Sequence, residues 1–290
     1  MNQRSIALLA LTLLAAPFAV NQALQPSVPR ASAAPLPGIS PIQDSSPSTA
    51  GQPGILIDDR RAVVPFAVGE RLDYQVNFGP IRAGSGSMEV RGIETIRGRE
   101  AYHTVFDVRG GIPFYRVHDV FESWFDTRTL SSLKFVQDQD EGPKERERHY
   151  EIFPELAQYR ELVKGEGEMQ PSVSQPLDDG SFLYFIRTVP LVVGRTYEFQ
   201  RYFRPDRNPV TIRVLRKEKV SVPAGTFDAI VIQPIIKTSG IFSENGRAEI
   251  WLSDDDRHIM LQMKSKLSFG SLNLYLRSYR PGTGVPVGTR

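Results

Sequence analysis

The chain has no cysteine. That absence excludes disulfide staples, thiolate nucleophiles, Cys-ligated zinc, iron–sulfur centres and a lipid-modified N-terminal cysteine. An excess of one charge sign is also lacking: 35 Lys and Arg stand against 33 Asp and Glu, for a formal net charge of +2. No clustered basic surplus is available to neutralise nucleic-acid phosphates. Histidine is scarce, with four residues in 290, and none forms an HExxH or His-x-His pattern. Only one long apolar run occurs, Ser5 to Val20, and it is shorter than the roughly 20 residues that a membrane span needs.

That run follows Arg4 and is rich in Leu and Ala, the arrangement of a secretory signal. We assign residues 1–23 to a signal peptide, with cleavage as late as residue 33 at Ala31-Ser32-Ala33. No membrane span is then expected in the mature chain. Residues 24–57 are rich in Pro, Ser, Ala and Gly, and eight of the 22 prolines lie before residue 55. Such a stretch cannot bury enough apolar surface to offset the entropy of ordering it, so it reads as a disordered linker.

From Asp58 the pattern changes to period-2 alternation. Leu72, Tyr74, Val76 and Phe78 face one way, and Arg71, Asp73, Gln75 and Asn77 the other, as in a half-buried antiparallel strand. Similar alternation recurs at Tyr102 to Val108, Arg146 to Ile152, Tyr197 to Phe203, Val210 to Val214 and from Ala248 to Leu276. Turn chemistry at Gly98, Gly110-Gly111, Pro223-Ala224-Gly225, Asn245-Gly246 and Gly270 separates about twelve predicted strands. One segment breaks the rhythm: Asp178-Asp179-Gly180-Ser181 before Phe182 to Arg187, stopped by Pro190, predicts a capped short helix near residues 179–189. The fold class is therefore all-β, an antiparallel and strongly twisted meander forming a barrel or half-barrel. A single β-rich domain spans 58–280, and 281–290 form a flexible tail. A membrane-spanning barrel is disfavoured by densely charged strands such as Lys144 to Arg148 and Arg216 to Lys219.

These residues resemble a bacterial envelope family, domain of unknown function 3108. The opening Val68-Gly69-Glu70-Arg71-Leu72-Asp73-Tyr74 with Ile81-Arg82-Ala83-Gly84 is similar to its first hairpin. Asp119, Ser123 and Asp126 resemble its central strand, and Asp178 to Leu191 its helix. Val222 to Phe227, with Gly225 and Phe227, and Ile250 to Asp255, with Trp251 and Asp255, are similar to the remainder, for coverage from about Phe66 to Tyr279. The resemblance implies an exported all-β domain and no particular activity.

Catalytic constellations are not evident. His118 and Glu122 share a strand face, but positions four apart on a strand lie about 13 Å from each other, too far to share an ion. Asp138 to Gly142 only partly resembles a calcium loop, because its glycine comes one position early. Gly84-Ser85-Gly86-Ser87 sits in a strand pattern and is no nucleophile elbow; its glycines suit a bend or a close crossing. We therefore expect no catalytic residues, no metal and no cofactor. The 16 Phe and 10 Tyr suggest an aromatic concave face, lined by Tyr74, Val76, Phe78, Phe106, Phe114 and Trp124, that holds a lipid or acyl chain.

The functional expectation is a non-enzymatic, exported envelope protein of the periplasm or outer-membrane periphery that binds an apolar or amphipathic ligand. The alternative is an interaction or assembly module with a fully packed core that docks an envelope protein partner. No nucleic-acid partner is expected.

Overall fold

The structure, a computed structural model, describes residues 61–112, 115–141, 144–162, 167–237, 248–267 and 270–283. The expected signal peptide and linker, and Phe114, lie outside the described residues.

The described residues form one 14-stranded antiparallel sheet. Its first half is a meander of β1 (Arg71–Phe78), β2 (Ile81–Ile96), β3 (Arg99–Ile112), β4 (Tyr115–Asp126), β5 (Ser132–Glu141), β6 (Lys144–Phe153), β7 (Gln158–Leu162) and β8 (Gln170–Pro171). The chain then forms a helix, α1 (Asp179–Phe185), prolonged by a 3-10 turn at Ile186–Thr188. The second half comprises β9 (Thr196–Phe199), β10 (Val210–Val222), β11 (Gly225–Ile235), β12 (Glu249–Ser253), β13 (Met260–Leu267) and β14 (Gly270–Arg280). Because β14 pairs with β1, the two meanders join into the order 8-7-6-5-4-3-2-1-14-13-12-11-10-9. The sheet has two more strands than its alternation suggested, since segments as short as the two residues of β8 carry no readable period.

Among the described residues sheet hydrogen bonding does not close into a barrel, and β8 and β9 are the two edges. The irregular segments following those edges nevertheless meet. Leu177 N–H donates to Arg201 O at 2.5 Å, Phe203 N–H donates to Leu177 O at 3.0 Å, and Leu177 and Tyr202 form a lone parallel bridge. Ser172 Oγ adds a bond to Phe203 O at 2.7 Å. A half-barrel is thus stapled across its open side by loop backbone instead of a strand ladder.

Curvature arises where bulges shift the register, at Asp73/Tyr74, Val76/Asn77 and Val90/Gly92 among others, because an extra residue bends and twists its strand. Gly84 and Gly110 face each other across β2 and β3. A Cβ at Gly84 would collide with Arg109 O, so this close approach requires glycine. On the inner face, one cluster gathers Leu72, Tyr74 and Val76 from β1, Phe106 and Val108 from β3, Phe121 and Phe125 from β4, Ile212 from β10 and Leu274 from β14, with all of α1's apolar side chains. The helix packs against β3 and β4 and fills the hollow that the sheet curls around.

Candidate functional site

Helix α1 enters the hollow with its N-terminus among polar side chains. Asp178 is the N-cap, accepting from Gly180 N–H and Ser181 N–H at 2.9 and 2.8 Å while Ser181 Oγ answers the Asp178 N–H. This reciprocal box satisfies amides that a buried helix end would otherwise leave orphaned. Ser123 Oγ on β4 donates to Asp178 Oδ1 at 2.5 Å, and Ser132 Oγ on β5 bonds to Ser181 Oγ at 2.8 Å. Two strands therefore grip one helix cap. Burial raises the Asp178 carboxyl above its ordinary range, with the hydrogen bonds from Ser123 and the backbone offsetting part of the rise.

The next residue leads toward solvent. Asp179 accepts from Tyr202 Oη at 2.9 Å and from Gln137 Nε2 at 3.4 Å, and Tyr202 Oη accepts from Arg207 Nη1 at 3.0 Å. Burial pushes Asp179 up to about 7, against the pull of Arg207 and the Tyr202 bond. Asn208 holds Tyr202 in place, its side chain bonding both the N–H and the C=O of that residue. Above this chain lies a shallow depression that encloses no space large enough for a water molecule, where Arg148, Arg204, Arg207, Asp179, Gln137 and Tyr202 pack over the rings of Phe135, Tyr150 and Phe203. Three guanidiniums and one carboxyl converge there, on an aromatic floor in which Tyr150 and Phe203 meet edge to face at 5.2 Å. No nucleophile with an adjacent base is among the lining residues.

A second buried polar cluster joins the other side of the helix to β1. Arg187 Nη1 and Nη2 donate to the two carboxylate oxygens of Glu70 at 2.6 and 3.0 Å. Arg187 also donates to Pro65 O and Arg257 O, both at 3.0 Å.

The residues expected to line an apolar groove are dispersed. Tyr74, Val76 and Phe106 are buried in the inner cluster, where Tyr74 Oη donates to Met260 O at 3.0 Å. Phe78 is only half-buried at the end of β1. Trp124 lies on the opposite face in a small cluster with Ala101 and Leu133; there it stacks on His103 at 4.3 Å, lies under Lys134 and donates to Glu94. His118 and Glu122 turn to different partners, Asp107 at 3.7 Å and His103 at 2.7 Å.

The motif residues occupy joints of the fold. Gly69 adopts φ of +86° just before Glu70, and the Ala83 carbonyl abuts Gly110. Asp119 is fully buried on β4, on the same face of the strand as Ser123. Asp126 accepts from Arg128 N–H, Thr129 N–H and Arg99 Nε, closing the turn after β4. Gly225, at φ +137°, turns β10 into β11 with Phe227 against it. Trp251 Nε1 donates to Glu218 at 2.6 Å, and Asp255 closes the β12–β13 turn by accepting from Ser253 Oγ and Arg257. Sequence reading passed over Asp179, Tyr202, Arg204 and Arg207 as site residues. Arg148 counts in the sequence only as one charge of the densely charged strand Lys144 to Arg148, and the usable signal is the double aspartate at the helix start.

The family model described as "Protein of unknown function (DUF3108)" matches residues 73–277. Among solved structures, the chain is similar to a β-barrel-like protein of domain of unknown function DUF1849 from Brucella abortus. Identity is 12% and the TM-score 0.50, over 74% of this chain and 98% of that one. Fainter likenesses join a provisionally assigned lipoprotein of Parabacteroides distasonis (11% identity, TM-score 0.34, 76% and 100% coverage) and a provisionally assigned exported protein with a YmcC-like fold from Bacteroides fragilis (11%, 0.28, 76% and 100%). At these identities the first likeness speaks to fold alone. No curated protein matches. Among the described residues no helix is long and apolar enough to cross a membrane.

Proposed function

We propose, from the premise that the chain belongs to the DUF3108 family of proteins of unknown function, that it is an exported, non-enzymatic module of the cell envelope. It acts through its surface on a protein partner, with its interior given over to packing. The Leu/Ala-rich run behind Arg4 supports export to the periplasm or outer-membrane periphery.

The observation that carries the reading is the filled hollow. Tyr74, at 1% exposure, belongs to the same buried cluster as the apolar side chains of α1, with its hydroxyl reaching Met88 Sδ on β2 and satisfied by Met260 O on β13. A lipid or acyl chain on that face would have to displace α1, whose cap is held by Ser123 and Ser132. Docking is then left to the exterior, where β9 covers only Val210–Arg213 of β10. From Arg216 to Ser221 the outer edge of β10 meets no strand among the described residues, and edges of this kind accept an added strand from a partner. Its alternating charges are paired within the sheet, Arg216 to Glu218 and Glu249, Lys217 to Asp254 and Lys219 to Asp228.

The test compares the wild-type protein, gently purified from a periplasm, with Tyr74→Asp. A ligand-free mass in native mass spectrometry together with global unfolding of the variant supports the packed module. A stoichiometric lipid adduct, lost in a variant that stays folded, would establish a carrier instead.

A further inference from the structure

We propose that the 192–195 turn and the open edge of β10 together form the docking surface for an extended segment of a partner protein, apolar and acidic at the end that meets the turn. This deepens, and rests on, the reading of β10's edge as the place where a partner adds a strand.

Two exposed valines mark the surface. Among the described residues, Val192 at 54% and Val193 at 45% are the only exposed large apolar side chains adjacent in the chain. Apolar residues scattered singly over a surface are ordinary, but this pair stands in a tight turn, where Gly, Pro and small polar residues are the rule. Arg195 N–H donates to Val192 O at 3.0 Å, with Gly194 at φ +83°. The turn is fixed to β10, because Gly194 N–H donates to Val214 O and Val214 N–H to Arg195 O, both at 2.9 Å. Val214 is thus covered, and from Arg216 the edge is open. A strand added to the open stretch would lie end to end with β9, its terminal residues against Val192 and Val193.

Charge narrows the partner. Arg195 and Arg213 are both exposed, and Arg213 lies opposite Thr196 in the β9–β10 ladder, next to the turn. Neither arginine makes an ion pair among the described residues, whereas Arg216, Lys217 and Lys219 further along β10 are each paired. Unpaired positive charge therefore gathers at the turn end of the open edge, where carboxylates of an incoming segment would meet it. A second copy laid antiparallel along Arg216 to Ser221 would bring its Ser221 to that end, and no acid. An anionic membrane would meet the turn but leave the backbone groups of the edge unpaired. An extended acidic and apolar segment serves the valines, the arginines and the edge together.

Random octapeptides displayed on phage and selected against the full exported chain supply the probe, and the enriched peptides are synthesised for fluorescence anisotropy. They are expected to carry an aliphatic residue and an aspartate or glutamate near one end, to slow amide exchange from Arg216 to Ser221, and to bind more weakly as salt rises. Val192→Thr combined with Val193→Thr keeps the branched shape and removes apolar surface, and Arg213→Gln breaks no ion pair. Each variant should weaken binding by about tenfold, with circular dichroism unchanged. Failure to enrich any peptide overturns the proposal, as do affinities equal in wild type and variants. In the latter case persisting protection of the β10 amides leaves edge docking standing and removes only the turn. A dimer in sedimentation velocity that the valine variant dissolves, or valine-dependent binding to phosphatidylglycerol vesicles, would assign the surface to another occupant and overturn it likewise. Whether the hollow is packed is decided separately by the Tyr74 experiment.

Discussion

Glu70 and Arg187, 117 positions apart in the chain, form a two-pronged ion pair at 2.6 and 3.0 Å with both side chains 2% exposed. The pair ties the start of β1 to the end of the helical segment, and so joins the two halves of the sheet through the hollow's contents. Burial works against the Arg187 charge, but the Glu70 hydrogen bond and field override it and raise its pKa. Phe66 and Tyr184 flank the guanidinium at 5.5 and 6.0 Å.

Breaking that pair from one side leaves a buried charge without its counterpart. Glu70→Gln is expected to destabilise the protein by about 3–5 kcal/mol, while Glu70→Leu combined with Arg187→Met costs less than the sum of the single changes. Urea unfolding of the four proteins in the cycle gives the coupling directly.

Gly180 poses a steric test. Alanine in a helix is ordinarily favoured over glycine by up to about 1 kcal/mol, yet a Cβ here would collide with Ser123 Oγ. Gly180→Ala should therefore destabilise, and adding Ser123→Ala should recover part of the loss. Thermal melts of the single and double variants would show it, and simple additivity would count against the contact.

Two buried tyrosines should respond in opposite ways to loss of the hydroxyl. Tyr74 Oη bonds to Met260 O, so Tyr74→Phe should cost about 1–2 kcal/mol. Tyr184 Oη has no hydrogen-bond partner among the described residues, and burial drives its pKa far upward. Tyr184→Phe should be neutral or stabilising, measured by the same denaturation curves.

Asp179 gives stability a pH dependence of definite sign. Its carboxyl, ordinarily near 3.8, is pushed up to about 7 by burial. Between about pH 4 and 7 the folded chain keeps a proton that the unfolded chain has released. Stability thus falls as pH rises through this window, by at most ~1.4 kcal/mol per unit, and levels off above it. Asp178, also raised by burial, acts in the same direction. For Asp126, burial is outweighed by the Thr129 and Arg128 amides and by Arg99, so its pKa is lowered and its contribution is lost only in stronger acid. Asp179→Asn should flatten the difference between stabilities measured at pH 5 and pH 7.

Several features were legible in the residues themselves. The alternation of Leu72, Tyr74 and Val76 predicts one buried face of a strand, and β1 buries those three. Asp178-Asp179-Gly180-Ser181 ahead of an apolar run predicts a capped short helix, and α1 begins there on the Asp178 cap. Glycine at 84 predicts a close crossing, and its partner across the ladder is Gly110. Less could be read of Trp124, whose aromatic character placed it with Tyr74 in one lining although one residue of phase on β4 sends it to the opposite face. The arginines of the depression were hidden for another reason: Arg148 and Arg204 lie 56 positions apart in the chain, and no local pattern connects them.

What the sequence by itself determined is the set of local preferences: antiparallel strands, their turns, one capped helix and membership in a family. These follow from side-chain period and backbone conformation, which act over a few residues. Tertiary structure decided the rest. It closed the hollow with α1, stopped the sheet short of a barrel with loop segments bridging its ends, set Arg187 on Glu70, and gathered Arg148, Arg204 and Arg207 around one depression. Each depends on sheet curvature and on register between distant strands, which bulges and packing fix together, and a two-residue period carries neither.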